Sequence, residues 1–217
     1  DNDNSDLRNV VAILKNNPLG KGWSHSYHIY AQVFSGLNTS GVQVNEKYII
    51  IRWGDGTYYL YNIPEQKFVT RGVYDHFIPV AYDVNNNITE FKIKTKSLIE
   101  YSFYRINNQF ECRQIKDRNN NTITLGYEFA ECPGVSPGAS CFATTAWRLK
   151  WVIDQVGGRQ LTFSYQNGTN LISEVKDNIG RTVKFFVNRN THNLDSTRNA
   201  NNNSTKYRYC IGDTCSN

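Results

Sequence analysis

At 217 residues, with 39% hydrophobic and 13% aromatic side chains, the chain can bury one sizeable core and is too aromatic for a disordered polymer. Its 24 basic and 19 acidic residues leave a net charge of +5 with no basic run, so the balance lends no support to nucleic-acid binding. No apolar stretch approaches ~18 residues, so the sequence contains no candidate membrane-spanning helix.

The chain begins at Asp1 and contains no Met, which reads as a processed product, a fragment or a trimmed chain, with removal of a secretion signal the favoured reading. In the opening S-D-L-R-N-V-V-A-I-L-K, Leu7, Val10, Val11 and Leu14 have helical spacing, with Ser5 as an N-cap. Val10, Val11 and Ile13 are β-branched, however, and the run ends at Asn-Pro, so a short helix and an extended strand both fit. If extended, Leu7, Val10, Val11, Ile13 and Leu14 form an apolar strand that seeks a sheet edge, which makes them candidate assembly residues.

From Trp23 the pattern is β. The expected strands are 27–34, 48–53, 57–61, 67–73, 89–94, 98–104 and 109–115, with Gly54-Asp55-Gly56 as a hairpin turn. The 27 Asn residues gather in runs such as Asn85-Asn86-Asn87, Asn119-Asn120-Asn121 and Asn201-Asn202-Asn203. Asn tolerates left-handed backbone, so these runs read as turn tips. The expectation is one domain over 1–217: an N-terminal segment (1–19), a β-meander half (20–116) and a repeat half (117–217).

The second half repeats. Arg159, Phe163 and Tyr165 recur 22 residues later as Arg181, Phe185 and Val187, and again as Asn203, Tyr207 and Tyr209. An earlier copy is Asn121, Leu125 and Tyr127. A fixed period of this size marks stacked units that cannot each bury a face alone. Residues +4 and +6 from Arg share one strand face, so Phe163, Phe185 and Tyr207 are expected to form an aromatic column. Asp154 and Asp177 suit the reversing turns, with Arg159 and Arg181 as clamps on the turn or its aspartate.

Five cysteines fit an exported protein. Cys132 and Cys141 bracket one turn-rich segment and Cys210 and Cys215 another, each short enough for one disulfide. Cys112 is left over, buried and reduced or available to a partner chain. No paired Cys/His spacing suggests a metal, and no cofactor motif is present.

Several of these segments resemble the rearrangement-hotspot (RHS), or YD-repeat, family. G-K-G-W-S-H-S-Y (20–27) looks like the motif that precedes RHS repeats, and W-G-D-G-T-Y-Y-L-Y (53–61) is similar to the D-G hairpin after it. I-K-D-R-N-N-N-T-I-T-L-G-Y (115–127), W-V-I-D-Q-V-G-G-R-Q-L-T-F-S-Y (151–165) and V-K-D-N-I-G-R-T-V-K-F-F-V (175–187) resemble successive repeat units. The resemblance covers about residues 20 to 209. Asn121 and Asn203 stand where the family unit usually has Arg or Gly-Asn, Val187 replaces a Tyr, and Gly157-Gly158 adds a residue. The resemblance implies an all-β fold, a curled antiparallel sheet of stacked hairpin repeats, and by analogy a shell that encloses a toxin or other cargo.

Candidate chemistry is sparse. His25 and His28, three apart, would fall on opposite faces of a strand and so could not share a metal; packing around Trp23 is the alternative. The carboxylate pairs Glu128/Glu131 and Asp75/Asp83 are of a kind that occurs by chance in any β protein of this size. The expected function is therefore a secreted, non-catalytic structural protein that associates with copies of itself through sheet edges or strand addition, forming an extracellular filament or surface layer. The alternatives are a fragment of an RHS shell, or a module that presents Trp53, Tyr58, Tyr59 and Tyr61 to a cell-surface glycan or protein.

Overall fold

The computed structural model describes residues 17–37, 43–107, 109–129, 147–211 and 214–216. Every regular element among them is a β-strand. In chain order these are β1 (Tyr30–Leu37), β2 (Gln43–Arg52), β3 (Tyr58–Asn62), β4 (Lys67–Phe68), β5 (His76–Tyr82), β6 (Ile88–Lys94), β7 (Glu100–Ile106), β8 (Gln109–Lys116) and β9 (Thr122–Phe129). Then come β10 (Trp147–Asp154), β11 (Gln160–Tyr165), β12 (Ile172–Asp177), β13 (Thr182–Val187), β14 (Leu194–Arg198), β15 (Ser204–Lys206), β16 (Tyr209–Ile211) and β17 (Thr214–Ser216). The first fifteen belong to one large antiparallel sheet of hairpins, and β16 and β17 pair separately. No helix among the described residues is long and apolar enough to cross a membrane. The expectation of a curled sheet is corrected to this extent: among the described residues no ladder joins one end of the strand order to the other, and the sheet is neither closed nor strongly curled.

The chain divides into two compact units. The meander unit holds His25–Leu125 and Ile153–Gly158; the repeat unit holds Asp1–Ser24, Gly126–Val152 and Arg159–Asn217.

In the meander unit the strand order is β4-β3-β2-β1-β8-β7-β6-β5. Its core is apolar and aromatic: Ile49, Ile51, Phe91, Ile93, Phe103 and Phe110 are all fully buried. Tyr61 stacks on Phe77 at 3.8 Å, Phe77 on Phe91 at 4.6 Å, and Phe91 on Phe103 at 4.6 Å. These rings come from β3, β5, β6 and β7, so strands far apart in the ladder meet over one core. Each such pair is worth about 0.5–1.5 kcal/mol beyond the burial of its area.

One edge of β8 is fully paired with β7. The other is shared, β1 holding Gln109–Glu111 and β9 holding Gln114–Lys116. Strand β5 was not anticipated, because Pro79 interrupts its apolar run. It is an edge strand, where a residue without an N–H is tolerated. The expected strand over 67–73 shrinks to Lys67–Phe68, because the Thr70 hydroxyl accepts the Leu60 N–H at 2.8 Å, where a further backbone carbonyl would have served.

The hairpin tips share one design. At Asp83–Asn87, Asp117–Asn121, Asp177–Arg181 and Asn199–Asn203, the first N–H donates to the fifth carbonyl, and the fourth N–H returns to the first carbonyl. The fourth residue is left-handed: Asn86, Asn120 and Asn202 at φ 63°, 66° and 64°, Gly180 at 91°. Trp53–Thr57 and Thr95–Ile99 repeat the backbone pattern, with Gly56 and Leu98 in the left-handed seat. In the four Asp- or Asn-led tips the side chain at the first position accepts the third and fifth N–H groups, as Asp117 does from Asn119 (2.8 Å) and Asn121 (2.9 Å). The asparagine runs are thus turn tips, as the sequence predicts.

The repeat unit carries β11 to β15 in consecutive order. Its expected column of Phe163, Phe185 and Tyr207 is not made by neighbouring strands, because β12 lies between β11 and β13, and β14 between β13 and β15. Phe163 faces Val175 across the ladder and Phe185 faces Thr197. Phe185 and Tyr207 instead join Trp23 over buried Leu171, Val187 and Leu194. Gly126 is the seat of the Trp151 ring, which a Cβ at that position would overlap.

Candidate functional site

Segment 25–28 is a turn, not a strand, closed by the His28 N–H donating to the His25 carbonyl at 2.9 Å. It therefore brings the two imidazoles together, their rings stacked at 5.7 Å, which corrects the expectation of opposite faces. His28 lies 5.1 Å from the Tyr30 ring. Trp23 contacts Tyr207, their ring centroids 4.7 Å apart. The turn rests on Gly54: a Cβ there would overlap the backbone of His25 and Ser26. The 25–27 end of the G-K-G-W-S-H-S-Y stretch and the D-G hairpin thus interlock, a contact their separation in sequence conceals.

Below the turn, Arg52, Tyr30 and Glu111 occupy one register row on adjacent strands β2, β1 and β8. Burial lowers the His25 pKa to about 4. Burial, with the charges of His25 and Arg52, lowers His28 to about 3. Burial pushes Glu111 up to about 8, against the opposing hydrogen bond from Gln109 (2.7 Å) and the charge of Arg113. The neighbouring Cys112 is fully buried and its thiol donates to the Gln114 carbonyl at 3.7 Å, with burial raising its pKa far above the usual range. Among the described residues no group of three His, Cys, Asp or Glu side chains could hold a metal.

The carboxylates singled out from the sequence are placed as follows. Burial would raise Glu128, but hydrogen bonds and charge from Arg148 (2.9 Å) and Lys150 (3.2 Å) outweigh it and hold the carboxyl below its usual range. Its expected partner Glu131 lies outside the described residues. Asp83 is occupied by its own turn, accepting from Asn85 and Asn87.

Of the repeat residues, Arg181 is the clamp expected, its Nε donating to Asp177 Oδ2 at 2.6 Å. Asn121 performs the same task on Asp117 through its side-chain amide at 2.8 Å, so the departure from Arg keeps the clamp. Arg159 does not follow. It is exposed and has no carboxylate partner among the described residues, and the added Gly157-Gly158 gives its turn a different closure, Gly158 N–H to Asp154 O at 2.9 Å. Tyr165 lies under the Arg148 guanidinium, 4.2 Å from the ring centre. The Tyr209 hydroxyl accepts from Trp23 Nε1 at 2.9 Å and donates to the Leu194 carbonyl at 2.9 Å.

Cys210 and Cys215 are direct register partners in the β16–β17 hairpin. Cys132 and Cys141, like Leu7, Val10, Val11, Ile13 and Leu14, lie outside the described residues. Of the proposed aromatic platform, only Tyr58 is exposed, at 45%. Trp53 packs edge-on to Tyr59 and Tyr101, and Tyr61 is buried.

The surface that sequence reasoning missed is the outer side of β5. Among the described residues this strand pairs only with β6. Ile78, Val80 and Tyr82 on it are 39%, 49% and 52% exposed, and Tyr74 and Val84 extend the apolar strip at its two ends. Compared with protein-family models and with curated proteins, the chain matches none.

Proposed function

We propose that this protein is a non-catalytic structural module of RHS-like hairpin repeats, exported from the cell, that associates with copies of itself through the β5 edge. The observation that carries this reading is a strand with one neighbour among the described residues and an outward row of Ile78, Val80 and Tyr82. Such an edge is a template for association unless something blunts it. Pro79 lacks an N–H and β5 bulges between Pro79 and Ala81, so a regular ladder cannot run its full length. The contact therefore draws on side-chain burial, with strand pairing confined to one end of β5. The apolar segment containing Leu7, Val10, Val11, Ile13 and Leu14 supplies the neighbour's contribution, in the manner of strand addition. A contact between two different surfaces propagates into a fibre unless symmetry closes it.

Light scattering coupled to size-exclusion chromatography, with negative-stain microscopy, tests the reading. The intact chain is expected to form assemblies that Ile78→Lys with Val80→Lys abolishes while leaving the circular dichroism spectrum intact. An intact chain that stays monomeric at roughly 100 μM, far above a micromolar Kd, would refute it.

A further inference from the structure

The outer face of the repeat unit presents a row of cations around one exposed ring. Register fixes which residues share it: Glu174, Lys184 and Arg198 face one another across β12, β13 and β14, and Phe186, Ser196 and Lys206 across β13, β14 and β15. Lys176, opposite Thr182, lies on the same face. Four cations thus stand against one acid, Glu174, whose contact with Lys184 is loose at 3.8 Å. Among the described residues Lys176, Arg198 and Lys206 have no carboxylate partner. The Phe186 ring is 42% exposed, and the Arg198 guanidinium stands 5.5 Å from its centre. Beside Phe186 and Lys184 opens a hollow of about 460 Å³, bordered also by Gln166, Ser173 and the carboxylates of Glu174 and Asp195.

We infer that this face binds an acidic polysaccharide, a chain of sugars bearing carboxylate or sulfate groups. Lys184 and Arg198, direct register partners, stand ~5 Å apart, about the length of one sugar ring, and Lys176 and Lys206 lie one diagonal step beyond them at ~7–8 Å, so acidic groups along a chain can each meet a charge. One ring stacks its C–H face on Phe186 while the register partners Lys184 and Arg198 hold its acid, and the hollow, with carboxylates in its wall, takes uncharged hydroxyls. Gln166 and Ser173 provide hydroxyl-bonding groups at the rim. A single-stranded nucleic acid is the poorer fit, because such sites place successive bases on successive rings and this face has one. The site lies in the repeat unit and does not depend on association through β5.

Titration calorimetry with an oligogalacturonate of about ten sugars is the test, using neutral dextran fragments and a single-stranded oligonucleotide of similar charge alongside. Binding is expected to weaken at least about tenfold between roughly 50 and 300 mM salt, as counterion release requires. Lys184→Gln with Arg198→Gln should weaken it about tenfold or more. Phe186→Ala should weaken it without changing the salt dependence, and an unshifted thermal midpoint would show the fold intact. Lys67→Gln, the loss of one cation in the meander unit, should leave it unaltered. Absence of binding, equal affinity for dextran, tighter binding of the oligonucleotide, or an equal loss in Lys67→Gln would each overturn the assignment.

Discussion

Leu98 is the side chain least suited to its position. It occupies the left-handed seat of a tip at φ 62° that Asn fills in three equivalent turns and Gly in two, and its side chain is half exposed. An L-residue without a compensating polar group pays about 1–2 kcal/mol for that backbone, while Gly pays part of this back in unfolded-chain entropy. Leu98→Gly should therefore stabilise the meander unit by up to about 1 kcal/mol, measured by denaturant unfolding; a clear loss of stability would mean that Leu98 makes a contact worth more than the strain. Gly126 is the opposite case. Its missing Cβ is where the Trp151 ring lies, so Gly126→Ala should cost about 1–3 kcal/mol as the ring is displaced, visible as a lowered midpoint and a shifted tryptophan emission. The tips were legible residue by residue, because Asn, Asp and Gly carry their backbone preference wherever they stand. Gly126 was not, because a close approach between strands leaves no mark at either position alone.

Among elements, the 25–28 turn over β1, β2 and β8 has the clearest consequence. His25 and His28 are held neutral, so between about pH 4 and 6.5 the unfolded chain binds more protons at these rings and stability rises with pH. Glu111 acts in the reverse sense. Protonated in the fold up to about pH 8, it binds the extra proton between pH 4.5 and 8, and its contribution is lost as pH climbs through that window. Two imidazoles outweigh one carboxyl below pH 6.5, and the carboxyl acts alone above it. Unfolding titrations from pH 4 to 9 should thus show a maximum near 6.5, with the alkaline decline flattened in Glu111→Gln. Stability still climbing at pH 8 would contradict this assignment of charges. None of it was readable in the sequence. S-H-S-Y-H-I-Y alternates like a strand, and only the bed provided by Gly54, some 27 residues onward, shows it to be a turn. β5 escaped notice for a related reason: Pro79 argues against a central strand, and nothing local says that the strand sits at an edge.

At the scale of the whole molecule, fold class was the most legible property, since alternation and evenly spaced turn residues leave an antiparallel β protein as the consistent answer. Which surfaces meet a partner was less so. The sequence pointed to residues 7–14 through their apolar run, yet the exposed apolar strip of β5 depends on which strand lacks a neighbour, and pairing order is a long-range property. The two proposed surfaces differ in their response to ionic strength. Association through Ile78, Val80 and Tyr82 should persist or strengthen in sulfate, whereas the cationic face around Phe186 should release its ligand as salt rises. Sedimentation of the chain across a salt series, with and without the oligogalacturonate, separates them.

The divided edge of β8 has one more effect. Only Cys112 and Arg113 separate the backbone bound by β1 from that bound by β9. A slip of β1 or β9 far enough along β8 toward the other would place it on groups its competitor already holds. Mutual exclusion thus sets the alignment of both strands, which is how a segment near residue 30 can find its place beside one near residue 110 with no connecting loop to measure the distance.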